Sequence, residues 1–124
     1  MPELTIYRIQ DKDGRGPWKP GFSRTWIEDR PDHDNLTPWP FEFPGVGVHL
    51  SRGMHNGCAT RTIEQLKRWF TESEYRTLLQ HGYQAVKMTA TRILAESEIQ
   101  CVFERSTPLR KNATPFNLYE KETA

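Results

Sequence analysis

Six prolines fall between Pro17 and Pro44, and they decide where regular structure can form in this chain. Pro17, Pro20, Pro31, Pro38, Pro40 and Pro44 each lack a backbone donor and fix φ. No long helix or central strand fits among them. Yet the same stretch carries Trp18, Phe22, Trp26, Trp39, Phe41 and Phe43. A disordered linker would be poor in such residues. The segment from Gly14 to Pro44 therefore reads as a long ordered loop pinned by aromatic side chains, with a short helix near Ser23 to Asp29. Ordered loops of this length in small domains are often functional.

The regular elements must lie on either side. Leu4 to Ile9 reads as a strand, with Leu4, Ile6 and Arg8 on one face. It ends in Gln10-Asp-Lys-Asp-Gly-Arg-Gly-Pro17, a cluster of turn formers. Gly45-Val-Gly-Val-His-Leu-Ser51 reads as a second strand, followed by a turn-rich loop from Ser51 to Gly57. Thr62 with Gln65, and Thr71 with Glu74, have capping-box spacing and open two helices. Ile63, Leu66 and Phe70 share one face of the first. Tyr75, Leu78 and Leu79 form the stripe of the second, and Gly82 supplies its stop. Tyr83 to Thr89 and Ile99 to Glu104 read as strands. Ala90 to Ser97 is compatible with strand or short helix. A polar tail follows Arg105, and residues 120–124 are expected to fray.

These elements come in runs rather than in strict β-α alternation. That order predicts an α+β fold, with a small mixed or antiparallel sheet, two helices packed against it and the long aromatic loop. A length of 124 residues fits one domain, spanning residues 1–119, with one core.

Charge narrows the function. Seventeen Lys and Arg against sixteen Asp and Glu leave a net charge of +1, which argues against a mainly electrostatic hold on nucleic acid or on an acidic membrane. No apolar run is long enough to cross a bilayer, and the first residues do not read as a signal peptide. The expected setting is the cytoplasm. Cys58 and Cys101 belong to no C-x-x-C pair, so a thiolate zinc site is not expected. Two free thiols are the favoured reading, and a single disulfide between them stays open. Asp11-Lys-Asp13-Gly14 opens like a calcium loop, but Phe22 stands where such a loop needs its last acid. Asp32-His33-Asp34 is one local cluster and an incomplete metal site. No metal is expected.

Three short motifs could carry chemistry. Arg8 sits inside an apolar strand, where a guanidinium needs a partner. His49 and Ser51 share a face at i, i+2. Glu96 and Glu98 do the same ahead of the apolar strand, and paired carboxylates push one pKa upward. Their order, Tyr7-Arg8-Ile9, then Val48-His49-Leu50-Ser51, then Glu96-Ser97-Glu98-Ile99, resembles the Arg-Ser-Glu arrangement of the ADP-ribosyltransferase superfamily. The resemblance implies a domain that uses NAD as substrate, without metal, and cleaves the nicotinamide–ribose bond for transfer to an acceptor, a protein for example, or for hydrolysis. It implies that Arg8 holds the pyrophosphate or ribose side, with Tyr7, His49 and Gln100 lining the pocket. Ser51 would support the nicotinamide pocket. Glu98 would be the catalytic glutamate and Glu96 would help to select or activate the acceptor. Trp18, Trp26 or Phe22 would close over the nicotinamide. Such chemistry passes through an oxocarbenium-like state that a carboxylate stabilises. The alternative is a non-catalytic accessory protein, of the kind made by phages and mobile elements, that binds a host protein through its Trp-rich loop.

Overall fold

The computed structural model describes residues 4–17, 26, 42–46 and 51–119. Strand β1 (Leu4–Gln10) alternates as its sequence suggests. Ile6, Arg8 and Gln10 point to one side and are all buried, while Tyr7 and Ile9 point to the other. β1 pairs antiparallel with β3 (Gln84–Ala90), from Leu4 opposite Ala90 to Gln10 opposite Gln84. The short β6 (Thr114–Phe116) adds to the far side of β3. A second sheet places β5 (Cys101–Arg105) between β2 (His55–Ala59) and β4 (Arg92–Glu96), again antiparallel. The described residues thus form an α+β fold with six strands in two small antiparallel sheets and two helices.

The sheets meet at two corners. β3 ends at Ala90 and β4 begins at Arg92, so a single bent strand passes from one sheet to the other. At the bend the Thr91 N–H donates to the Glu104 carbonyl at 2.9 Å. On the other side Tyr7 and Thr60 exchange both backbone bonds, at 2.9 and 2.8 Å. Strands that switch sheets in this way build the corners of packed sheets. Between them lies one apolar layer of Ile6, Ala59, Val86, Met88, Ala90, Cys101 and Phe103.

The helices cover part of the opposite face of the first sheet. α1 (Ile63–Trp69) and α2 (Glu72–Gln80) both open with complete capping boxes, at Thr62/Gln65 and Thr71/Glu74. Leu66, Trp69, Phe70, Tyr75 and Leu78 pack onto Ile9, Ala85, Tyr83 and Leu118. Trp26 joins this core, its ring 5.3 Å from Phe70 and its indole N–H donating to the Pro17 carbonyl at 3.2 Å.

α2 stops where Gly82 takes φ +86°, and the Tyr83 and Gly82 amides donate to the Leu78 and Leu79 carbonyls at 3.0 and 3.2 Å. This is a Schellman ending, with Tyr83 and Leu78 in the same core. A methyl group at Gly82 would touch nothing within 4 Å, so any cost of Gly82→Ala comes from backbone alone. We expect a loss of about 1 kcal/mol in urea unfolding, with Gly82→Asn recovering part of it. Equal stability of all three proteins would show that the left-handed turn is not needed.

The structure alters some expectations and settles others. The sheet is two sheets, because the chain bends at Thr91. Of the two readings left open for Ala90 to Ser97, strand is the one found, over Arg92–Glu96. Of the strand expected over Gly45 to Ser51, residues 47–50 lie outside the described set, Val46 closes a turn onto the Phe43 carbonyl at 3.2 Å, and Ser51 is not in a strand. A strand also forms at His55–Ala59, in a segment that reads largely as turn formers. HNGCA has little preference for pleated structure, and its form comes from pairing with β5. The polar tail also holds more order than its composition suggests, since it carries β6 and the buried Leu118. Apart from Trp26, the helix expected near residues 23–29 lies outside the described residues, as do residues 120–124. Among the described residues no helix is long and apolar enough to cross a membrane.

Candidate functional site

Arg8 points between the two sheets and is 6% exposed. Its Nη1 donates to the Cys58 carbonyl and its Nη2 to the Gly14 carbonyl, each at 3.1 Å. The guanidinium lies 5.8 Å from the centre of the Phe103 ring. The backbone of Gly57 makes room for it: a Cβ there would come 2.3 Å from Nη1. Burial pushes the Arg8 pKa down, and the neighbouring Cys58 and Asp11 oppose that. An arginine keeps its proton even so.

Two other long polar side chains leave the same inner face. Gln10 Nε2 donates to the Leu109 carbonyl at 2.7 Å. Arg105 Nη2 donates to the Lys111 carbonyl at 3.0 Å, while Nη1 lies 2.8 Å from Met88 Sδ. Arg8, Gln10 and Arg105 thus reach out of the inter-sheet space and hold two turns, around Gly14 and around residues 109–111. These turns touch one another, for a Cβ on Gly14 would sit 2.9 Å from that of Leu109.

A second polar cluster lies on the other face of β5. Glu104 accepts from the Ser51 backbone N–H at 3.0 Å and from its hydroxyl at 2.8 Å. Arg92 Nη2 sits 3.0 Å from the same carboxylate and 3.3 Å from Ser51 Oγ. The Glu104 side chain is 4% exposed and that of Arg92 53%. Burial pushes the Glu104 pKa up, but the two bonds from Ser51 and the Arg92 charge outweigh it, so the group stays below the ordinary glutamate range. Further along, Gln100 Nε2 donates to Glu42 Oε1 at 2.8 Å. β5 and Gln100 just before it therefore fasten residues 51 and 42.

The Glu104 contact has a defined pH response. Its carboxyl holds a proton less tightly in the folded chain than in the unfolded one. The stabilisation is complete above the ordinary glutamate value of about 4.3 and is lost as pH falls through the lower folded value. Urea unfolding of wild type and Glu104→Gln at steps from neutral pH into acid should show their difference shrinking below that value. A constant difference would rule the carboxylate out as the source.

The remaining expected site residues scatter. Glu98 is exposed in the β4–β5 connection, where its backbone carbonyl accepts from Gln65 Nε2 at 2.8 Å. Glu96 pairs with Arg61 at 3.3 Å on the surface. Tyr7 makes an edge contact with Phe116 at 5.9 Å on the helix side of the first sheet. Gln100 is buried against Glu42 rather than facing Arg8. His49 and Trp18 lie outside the described residues. Arg8 is inside the sheet pair, Ser51 is on the outer face of β5, and Glu98 is beyond the opposite end of that strand. The three do not line one hollow. The residue the sequence reading missed is Glu104: it reads as the end of an apolar strand, and its partner Ser51 is 53 residues away.

The cysteines also separate. Ala59 stands opposite Cys101 and Cys58 opposite Val102, so the two thiols point to opposite faces of the sheet and cannot bridge. Burial raises both thiol pKa values, that of Cys101 to about 12. Among the described residues no cluster of His, Cys, Asp and Glu could hold a metal.

The family model described as "Bacteriophage T4 Y00F protein" matches residues 1–116. The chain belongs to that family. The match takes in both helices, every described strand, and Arg8, Ser51 and Glu104. It also spans the whole Trp-rich segment, so the Y00F family pattern includes that segment together with the sheets that flank it. The phage or mobile-element origin named with the alternative reading of the sequence agrees with this membership. No curated protein and no solved structure matches the chain.

Proposed function

We propose that this member of the Y00F family is a phage accessory protein that binds a protein partner through the segment between residues 18 and 50. The sheet pair and its helices act as the scaffold. One observation carries the reading: the polar groups best suited to chemistry are spent on fastening loops. Arg8 holds the Gly14 carbonyl, Glu104 with Arg92 holds Ser51, and Gln100 holds Glu42. Trp26 anchors the segment from within, against Phe70. Gly14 before the segment, Trp26 and Glu42 within it and Ser51 after it are thus each held by the scaffold. The segment contains Trp18, Phe22, Trp39 and Phe41, aromatic types enriched at protein interfaces, with Trp foremost among hot spots.

A photo-reactive side chain at position 39 should cross-link one protein in an extract of host cells, and Trp18→Ala should weaken the adduct several-fold. The same probe at Lys87, on an exposed strand position, should give none. No adduct from any position between 18 and 50 would overturn the proposal. The NAD reading has its own check. Nicotinamide release by wild type that disappears in Glu98→Gln would replace the binding role with an enzymatic one.

A further inference from the structure

Two buried polar atoms among the described residues lack a hydrogen-bond partner, and they are complementary. One is Arg8 Nε, a donor, and the other is Gln10 Oε1, an acceptor. Their residues are 6% and 3% exposed. They stand at i and i+2 of β1, on the same inner face, about 7 Å apart along the strand. The other arms of both side chains are committed. Arg8 Nη1 and Nη2 hold the Cys58 and Gly14 carbonyls, and Gln10 Nε2 holds the Leu109 carbonyl. That last bond also fixes the orientation of the Gln10 amide. Flipping it would set Oε1 against the Leu109 oxygen, acceptor on acceptor.

We propose that one internal water molecule occupies the space between Arg8 and Gln10, accepting from Nε and donating to Oε1. The chemistry of the two atoms selects the ligand class. A carboxylate or phosphate would accept from Arg8 but would face the lone pairs of Gln10 Oε1 and of nearby carbonyls. An ammonium would suit Gln10 and be repelled by the guanidinium. Only a small neutral group with both a lone pair and a proton serves both atoms, and the polar, enclosed position suits water. Leaving both atoms unpaired is costlier than immobilising one water. This water would complete the contacts by which Arg8 and Gln10 clamp the Gly14 and Leu109 turns. It does not depend on the binding role proposed above.

Two measurements test it. In wild type, the Arg8 Nε–H proton should show a cross-relaxation peak to a water that resides for longer than a nanosecond. Absence of that peak, or a through-bond coupling showing Nε–H bonded directly to Gln10 Oε1, would overturn the proposal. Second, oxygen-17 relaxation dispersion counts long-lived internal waters. Gln10→Met, if its amide spectrum shows the native fold, should hold one fewer than wild type. An unchanged count in that folded variant would also overturn it. If the variant does not fold, the wild-type peak decides alone.

Discussion

Phe103→Ala is expected to lower the unfolding free energy by about 4 kcal/mol, the range for emptying a large buried aromatic site. Phe103 is fully buried in the layer shared by both sheets. It stands opposite Gly57 on β2 and Ile93 on β4, and its ring faces the Arg8 guanidinium. Its loss therefore removes packing from both sheets and exposes a buried charge to a cavity. Small domains hold only about 5–15 kcal/mol in all, so the loss takes roughly a quarter or more of the margin. For a chain of this size the midpoint of thermal unfolding should fall by roughly 10–20 °C. Phe103→Leu should lose less than half as much. A change below about 1 kcal/mol for the alanine variant would mean that the inter-sheet layer does not hold the fold together.

Arg8→Ala should cost roughly 3 kcal/mol in the protein alone, with no ligand added. The Cys58 and Gly14 carbonyls would lose their donors inside the fold, and a cavity would open beside Phe103. One effect runs the other way: removing a buried guanidinium also removes its desolvation cost. Carbonyl loss and cavity should win, because two acceptors are stranded at once. Arg8→Lys should recover only part, since an ammonium lacks the planar fork that reaches both carbonyls. Urea unfolding with and without NAD checks the claim. Native stability of Arg8→Ala, together with an NAD-induced shift seen only in wild type, would return Arg8 to the role of a ligand-binding residue.

Arg8 shows where sequence reasoning stops. Its oddity was plain, since a guanidinium in an apolar strand needs a partner. Whether that partner is a diphosphate or a pair of main-chain carbonyls depends on what β2 and the Gly14 turn bring to it. Gly57 illustrates the same limit: it looks like a turn residue, yet it is the strand position where the guanidinium meets backbone. In the sequence Ser51 reads as the polar end of a strand, on one face with His49. Its carboxylate is Glu104 rather than Glu98, because β5 presents Glu104 and not the connection that precedes it.

Local chemistry settled the parts whose causes lie within a few residues. The capping boxes at Thr62 and Thr71, the left-handed stop at Gly82 and the alternation of β1 each depend on near neighbours, so adjacent letters were enough to read them. The division into two sheets, the strand at His55–Ala59 and the fates of Arg8, Ser51 and the two cysteines depend on contacts across long loops. Such contacts form only when distant segments share one core. No local pattern records which carbonyl, ring or carboxylate will be waiting there.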